Sequence, residues 1–151
     1  MKALIVYDSI YGNTEKIARA IAEAITPSGE VKALRAGEAS PAELESIDLL
    51  IVGSPTHGGR PTPAVQDFLS TVTQQALKGI KVTAFDTRVM SRFAKIFGYA
   101  AGRIAGNLKK KGGMPIISPE GFFVTGREGP LKEGEQERAA AWAKGILESK
   151  K

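Results

Sequence analysis

Apolar and polar residues change period several times along this chain, and each change marks an element. Ala3 to Tyr7 is an unbroken apolar run, too short for a helix and rich in β-branched residues, which predicts a buried strand. Asp8 to Thr14 then gathers hydroxyls, an Asn and one Gly into a tight turn, and from Glu15 the spacing becomes helical, with Ile17, Ala18, Ile21, Ala22 and Ile25 apolar. Pro27-Ser28-Gly29 breaks that helix, and Val31 to Ala36 alternates as an edge strand does. Ser40-Pro41-Ala42-Glu43 announces a short helical turn. Ile47 to Gly53 is a second apolar strand, interrupted only by Asp48, and Thr62-Pro63 starts a helix whose apolar face holds Val65, Phe68, Leu69 and Val72. Ile80 to Phe85 is the next strand, with an irregular stretch to about Gly98. A helix over roughly Tyr99 to Lys111 follows, then a strand over Met114 to Ile117 and a short extended piece over Glu120 to Thr125. Gly134 to Lys150 closes the chain as a helix with Ala139, Trp142, Ala143, Ile146 and Leu147 along one stripe.

Strands that are apolar throughout, alternating with helices, predict a parallel sheet covered on both faces. Five strands in this length suit an α/β fold of three layers, a doubly wound five-stranded parallel sheet of order 2-1-3-4-5, forming one domain over residues 1–151. Ligands of such sheets sit outside the carboxyl ends of the strands, at the switch point between the first and third. That rule makes the loops at 8–14, 54–61 and 86–98 the walls of one expected site.

Composition narrows the chemistry. The 151 residues contain no cysteine and one histidine, which removes thiol catalysis, disulfides and cysteine-ligated metals and disfavours a histidine-rich metal site. Charged residues interrupt every apolar stretch, so neither a membrane span nor a signal peptide is expected, and a cytoplasmic location follows. The net charge of +5 is uneven: residues 78–111 carry nine basic side chains against one acid, Asp86. This segment is either a solvated basic helix or a docking face for an acidic partner. Nucleic acid is not expected there, because no recognition motif accompanies the charge.

The 2–14 stretch carries the strongest signal. A strand running through a small polar turn into a helix start presents free N–H groups and the positive end of a helix dipole to an anion. With no Lys or Arg in the loop, a phosphate there is held by backbone N–H groups and hydroxyls. The nucleotide-hydrolase loop and the three-glycine dinucleotide fingerprint are both absent. What remains, Ser9-x-Tyr11-Gly12-Asn13-Thr14, resembles the FMN-phosphate loop of flavodoxins, with Tyr11 where that family has a Thr. Gly53-Ser54-Pro55-Thr56-His57-Gly58-Gly59 with Pro61 and Phe68-Leu69 is similar to the family's second loop. Asp86-Thr87-Arg88, Gly121-Phe122-Phe123-Val124, Gly129-Pro130-Leu131 and Gly134-Glu135 resemble a short flavodoxin-like subgroup.

The resemblance implies a non-covalent FMN and electron transfer between partner proteins. Its cofactor contacts would be Ser9, Ile10, Tyr11, Gly12, Asn13 and Thr14 at the phosphate. Ser54, Pro55, Thr56, His57, Gly58 and Gly59 would lie on one side of the isoalloxazine, and Asp86, Thr87 and Arg88 on the other. No catalytic or metal residue is implied. The chain departs from the pattern in two ways. His57 stands where the family often has a Trp, and no Tyr adjoins Asp86, leaving Tyr11, Phe93, Phe97 or Tyr99 as substitutes. Arg60, Arg88, Arg92 and Lys95 replace the family's usual acidity; a cation about 6 Å from the flavin favours its reduced anion by about 1–3 kcal/mol, so a less negative reduction potential is expected. Two rivals stay open: an FMN-dependent NAD(P)H or quinone oxidoreductase, and an FMN-free binding module. A phospho-receiver is excluded because Gly53-Ser54 stands where its acceptor Asp belongs, and a serine hydrolase because there is no Gly-x-Ser-x-Gly elbow.

Overall fold

A computed structural model describes residues 1–90 and 99–149. Strands β1 (Lys2–Tyr7), β2 (Glu30–Arg35), β3 (Leu49–Pro55) and β4 (Lys81–Val89) are parallel, in the order β2-β1-β3-β4. The fifth position, along the free edge of β4, is shared by β5 (Met114–Pro115) and β6 (Glu120–Val124), both parallel to it. The expected order 2-1-3-4-5 is therefore the observed one, with the last strand in two pieces.

That division has a local cause. Val82 faces Pro115 and Phe85 faces Glu120, so three steps along β4 match five along its neighbour. Pro115 has no N–H to continue a ladder. The Ile116 N–H still reaches Val82 O at 3.2 Å, and the Thr83 hydroxyl donates to Ile117 O at 3.2 Å, which keeps the interruption bonded to the sheet. The Met114 to Ile117 strand of the sequence reading is thus only two residues long, and the piece at Glu120 completes the edge.

Alternation divides the core in two. Leu4, Val6, Leu50, Val52, Val82 and Ala84 point to one face, where α2 (Pro63–Thr71) and α3 (Ala100–Lys110) cover them. Ala3, Ile5, Tyr7, Leu49, Ile51 and Phe85 point to the other, beneath α1 (Asn13–Ile25) and α4 (Glu135–Ser149). Because side chains of a strand alternate between faces, strands apolar at every position are what two helical layers require. On the second face Phe85, Phe122 and Trp142 meet edge to face at 6.0–6.3 Å between centroids.

A salt-linked latch joins α4 to β6. Glu135, only 8% exposed, accepts the Phe123 N–H at 2.7 Å and pairs with Arg138 at 2.7 Å. Arg138 also donates to Gly121 O and lies 4.6 Å from the Phe122 ring centroid. The Arg138 guanidinium, together with the Phe123 N–H, holds the Glu135 carboxyl below its ordinary pKa of 4.5, and Glu135 in turn raises Arg138.

Two of the expected loops are partly strand. β3 continues through Ser54 and Pro55, and β4 through Asp86, Thr87 and Arg88 to Val89. β6 supplies the pairing partners over Phe85–Val89, and the Asp86 charge is neutralised inside the fold, so the polar residues stay in the ladder.

Candidate functional site

The carboxyl ends of β1, β3, β4 and β6 meet at one edge, as the order of the sheet requires. A cleft of about 80 Å³ lies there, lined by Ser9, Ile10, Tyr11, Asn13, Thr14, Pro55, Thr56, His57, Thr87, Arg88, Val89, Val124 and Arg127.

The β1–α1 turn is tied from several directions. Gly12 precedes the helix with φ +91°. The Ser9 hydroxyl oxygen accepts the N–H groups of Gly12 at 3.1 Å and Glu15 at 3.2 Å. Both lone pairs of a hydroxyl are then occupied, so the only hydrogen bond left to Ser9 Oγ is donation of its proton. Between those two N–H groups lie those of Asn13 and Thr14, in the first helical turn where no intrahelical acceptor exists. Asp8 staples this turn to the next one, accepting the Ser9 N–H at 2.9 Å and the Thr62 hydroxyl at 2.6 Å. Arg35, at the end of β2, donates to Ser9 O at 3.1 Å and is paired with Glu15 at 2.7 Å. Thr14 and Thr87 share a buried hydroxyl contact of 2.8 Å, fixing the helix start against β4.

Ser54 is fully buried and faces inward: it accepts the Thr62 N–H at 3.0 Å and donates to Pro55 O at 2.8 Å. Pro55, Thr56 and His57 form the cleft wall. His57 and Arg60 then exchange both backbone hydrogen bonds, at 2.9 and 3.0 Å, around Gly58 and Gly59 with φ +58° and +78°. Positive φ at both central residues is what a two-residue hairpin turn of this hand demands, which explains the Gly-Gly pair. The Gly58 and Gly59 N–H groups carry no hydrogen bond among the described residues.

At the third wall Asp86 is fully buried. Its carboxylate takes Arg88 Nε at 2.7 Å and Nη2 at 2.8 Å, and also the Ala101 N–H at 2.9 Å. Thr56 Oγ1 accepts the neighbouring Ala100 N–H at 3.1 Å. Asp86 and Thr56, expected as cofactor contacts, supply the capping of α3 that Tyr99 lacks. Arg88 lies 3.4 Å from the Tyr99 ring centroid, and a Cβ on Gly121 would fall 2.1 Å from its guanidinium carbon. The guanidinium is wedged between the two and neutralised by Asp86, so it is not the bare cation the sequence suggested.

Of the fifteen expected contacts, Gly12, Ser54, Gly58, Gly59 and Asp86 do not line the cleft, while the other ten do. Tyr99 stacks on Arg88 at its edge; Arg92, Phe93, Lys95 and Phe97 lie outside the described residues. Val89, Val124 and Arg127 were missed. The signal for the last two was available, since a parallel strand at Glu120–Val124 places its following loop at the same edge.

The profile of the flavodoxin family matches residues 5–142. The chain belongs to the flavodoxin family. Flavodoxin 2 from Bacillus cereus, a solved structure in the oxidised form, superposes with a TM-score of 0.81 over 98% of this chain and 99% of that one, at 25% identity. The rubredoxin oxygen:oxidoreductase of Desulfovibrio gigas gives 0.78 over 98% of this chain but 35% of that one, at 24% identity, which supports the fold alone. Among curated proteins, a putative diflavin flavoprotein A 5 from Nostoc sp. is 48% identical over 65 residues, covering 39% of this chain and 11% of its own length. A putative diflavin flavoprotein A 2 from Thermosynechococcus vestitus is 36% identical over 88 residues, covering 52% and 15%. The matched part is therefore a small fraction of these much longer proteins.

The cofactor of this flavodoxin is FMN. The cleft suits it: a Ser9 hydroxyl left only with a proton to give, a helix start beside it, and apolar surface from Ile10, Pro55, Val89 and Val124 opposite polar groups. None of the helices over the described residues is long and apolar enough to cross a membrane.

Proposed function

We propose that this chain carries electrons on FMN, with the phosphate held by residues 9–14 and the isoalloxazine set between the 54–60 segment and the end of β4. FMN supplies the electron-transfer chemistry when bound; the protein supplies binding, orientation and electrostatics. The observation that carries the reading is the state of Ser9, which lines the cleft with its oxygen saturated by two N–H groups and its proton without an acceptor among the described residues. The dipole of α1 adds about half a positive charge at the same place. The Gly58 and Gly59 N–H groups suit the carbonyl edge of the ring, and Pro55 and Val89 its apolar faces.

Redox partners would meet the protein at the mouth of the cleft. Ile10, Tyr11, Val89 and Met90 are 53, 45, 44 and 65% exposed there, an apolar rim on a charged protein. The described lysines of the basic 78–111 segment lie elsewhere. Lys78, Lys81 and Lys109–Lys111 sit at the opposite, amino edge of the sheet, where Leu77 N–H bonds Lys111 O and β4 begins at Lys81. Along β4 that is about 25 Å from the cleft at 3.3 Å per residue, and Lys111 is occupied with Val72 O.

A second reading, left open by the sequence, is an FMN-dependent oxidoreductase acting directly with NAD(P)H. Anaerobic stopped-flow mixing of the FMN-loaded protein with NADPH separates the two. A carrier keeps its flavin absorbance until a reductase is added, whereas rapid bleaching by NADPH alone overturns the carrier reading.

A further inference from the structure

We infer that Arg127 is the cationic partner of the cofactor phosphate in this flavodoxin, a contact that lies outside the phosphate loop and sets the preference for FMN over riboflavin. The inference rests on the FMN reading of the cleft.

Residues 125–130 form a closed turn after β6. Thr125 N–H bonds Pro130 O at 2.8 Å and Gly129 N–H bonds Gly126 O at 3.0 Å, which leaves Arg127 and Glu128 at the tip. The tip is fastened to the start of α1: Asn13 Nδ2 donates to Glu128 O at 3.2 Å, across 115 residues of sequence. Asn13 belongs to the phosphate loop, so the turn stands on the phosphate side of the cleft rather than on the 55–57 wall. Arg127 lines the same cleft as Ser9, Asn13 and Thr14.

Charge balance points the same way. Two arginines line the cleft, and Arg88 is already neutralised by the buried Asp86. Arg127 has no ion-pair or hydrogen-bond partner among the described residues. Asp8 places a carboxylate one residue before Ser9; it accepts hydrogen bonds from the Ser9 N–H and the Thr62 hydroxyl and has no cation paired with it among the described residues. A phosphate dianion beside that carboxylate gains from positive charge beyond the half unit of a helix start. An unpaired guanidinium on a turn held by Asn13 supplies it, with a fork that matches phosphate oxygens. The loop itself contains no Lys or Arg, which is why the sequence alone assigned the phosphate to N–H groups and hydroxyls.

The test is fluorescence titration of the cofactor-free protein with FMN and with riboflavin, for wild type, Arg127→Gln, Arg127→Lys and a charge control, Lys144→Gln on the exposed side of α4. Arg127 is exposed, so thermal midpoints are expected to be unchanged. The expected result is an FMN dissociation constant raised about 10- to 100-fold by Arg127→Gln, the loss of one charge-assisted contact. Riboflavin binding stays as in wild type, Arg127→Lys recovers part of the loss, and Lys144→Gln has no effect. Raising the salt concentration should weaken FMN binding less in Arg127→Gln than in wild type. Equal FMN affinity in Arg127→Gln and wild type overturns the inference while leaving the FMN reading intact, and so does an equal loss for riboflavin. A wild type that binds neither flavin overturns the FMN reading and this inference with it.

Discussion

Replacing Asp86 with alanine tests how the third wall of the cleft is built. Asp86 is fully buried, holds Arg88 through two hydrogen bonds of 2.7 and 2.8 Å, and accepts the Ala101 N–H at the start of α3. Removing one partner of a buried ion pair costs about 3–5 kcal/mol, because the other charge stays behind unpaired. Loss of the capping acceptor adds about 1 kcal/mol. Two features offset this: Arg88 keeps 16% of its side-chain surface exposed, and its stack on Tyr99 is independent of Asp86. The expected net loss is therefore about 3 kcal/mol, read as a lowered midpoint in urea denaturation at constant m-value. Asp86→Ala combined with Arg88→Met removes the stranded charge and should be more stable than Asp86→Ala alone. In the FMN-loaded single variant the unbalanced Arg88 should also move the reduction potential upward. A loss under about 1 kcal/mol, or a double variant destabilised by the sum of its singles, refutes the account of Asp86 as the counter-charge of Arg88.

Other outcomes follow from groups already placed. Ser9→Ala removes the acceptor of two N–H groups and the proposed donor to phosphate, so FMN affinity should fall about tenfold with a smaller change for riboflavin; isothermal titration with both ligands checks this, and unchanged FMN affinity counts against the phosphate assignment. Glu135 has its folded pKa held below 4.5 chiefly by Arg138, so its contribution is complete above pH 4.5 and is lost as pH falls through the depressed folded value. Glu135→Gln should cost about 1.5–2 kcal/mol at pH 7, the lower part of the range for bonds to charged groups since Arg138 is 37% exposed, and should flatten the acid limb of the stability profile. Denaturation midpoints measured from pH 7 downward would show the two proteins converging; parallel curves would remove Glu135 from the acid response.

Period and composition carried much of this fold. The apolar strands at Ala3–Tyr7 and, but for Asp48, Ile47–Gly53 pointed to a doubly covered parallel sheet, and the turn from Ser9 to Thr14 marked its carboxyl edge. What stayed hidden depends on contacts between distant residues. Asp86 looks like a loop carboxylate until Arg88, two residues on along the same strand, and α3 are folded against it. The Pro115 interruption left Glu120–Thr125 as a short extended piece beside the expected Met114–Ile117 strand, although Glu120–Val124 pairs with Phe85–Val89 as the sheet edge. Missing that pairing also concealed Arg127, whose turn reaches Asn13 at the start of α1 because β6 ends beside it. The density of lysine in the 78–111 segment suggested a docking face; among the described residues, β4 and α3 run from edge to edge of the sheet and place Lys78, Lys81 and Lys109–Lys111 at its amino edge and Arg88 at its carboxyl edge.

The central claim is that the cleft at the carboxyl edge takes FMN by its phosphate and presents the ring for electron transfer. Titrating the purified, cofactor-free protein with FMN, while following flavin absorbance and fluorescence and then reducing the complex anaerobically with dithionite, tests it most directly. The account predicts saturable one-to-one binding, a perturbed visible spectrum, and reversible reduction of the bound flavin. A protein that stays colourless and leaves the spectrum of added FMN unchanged would contradict it.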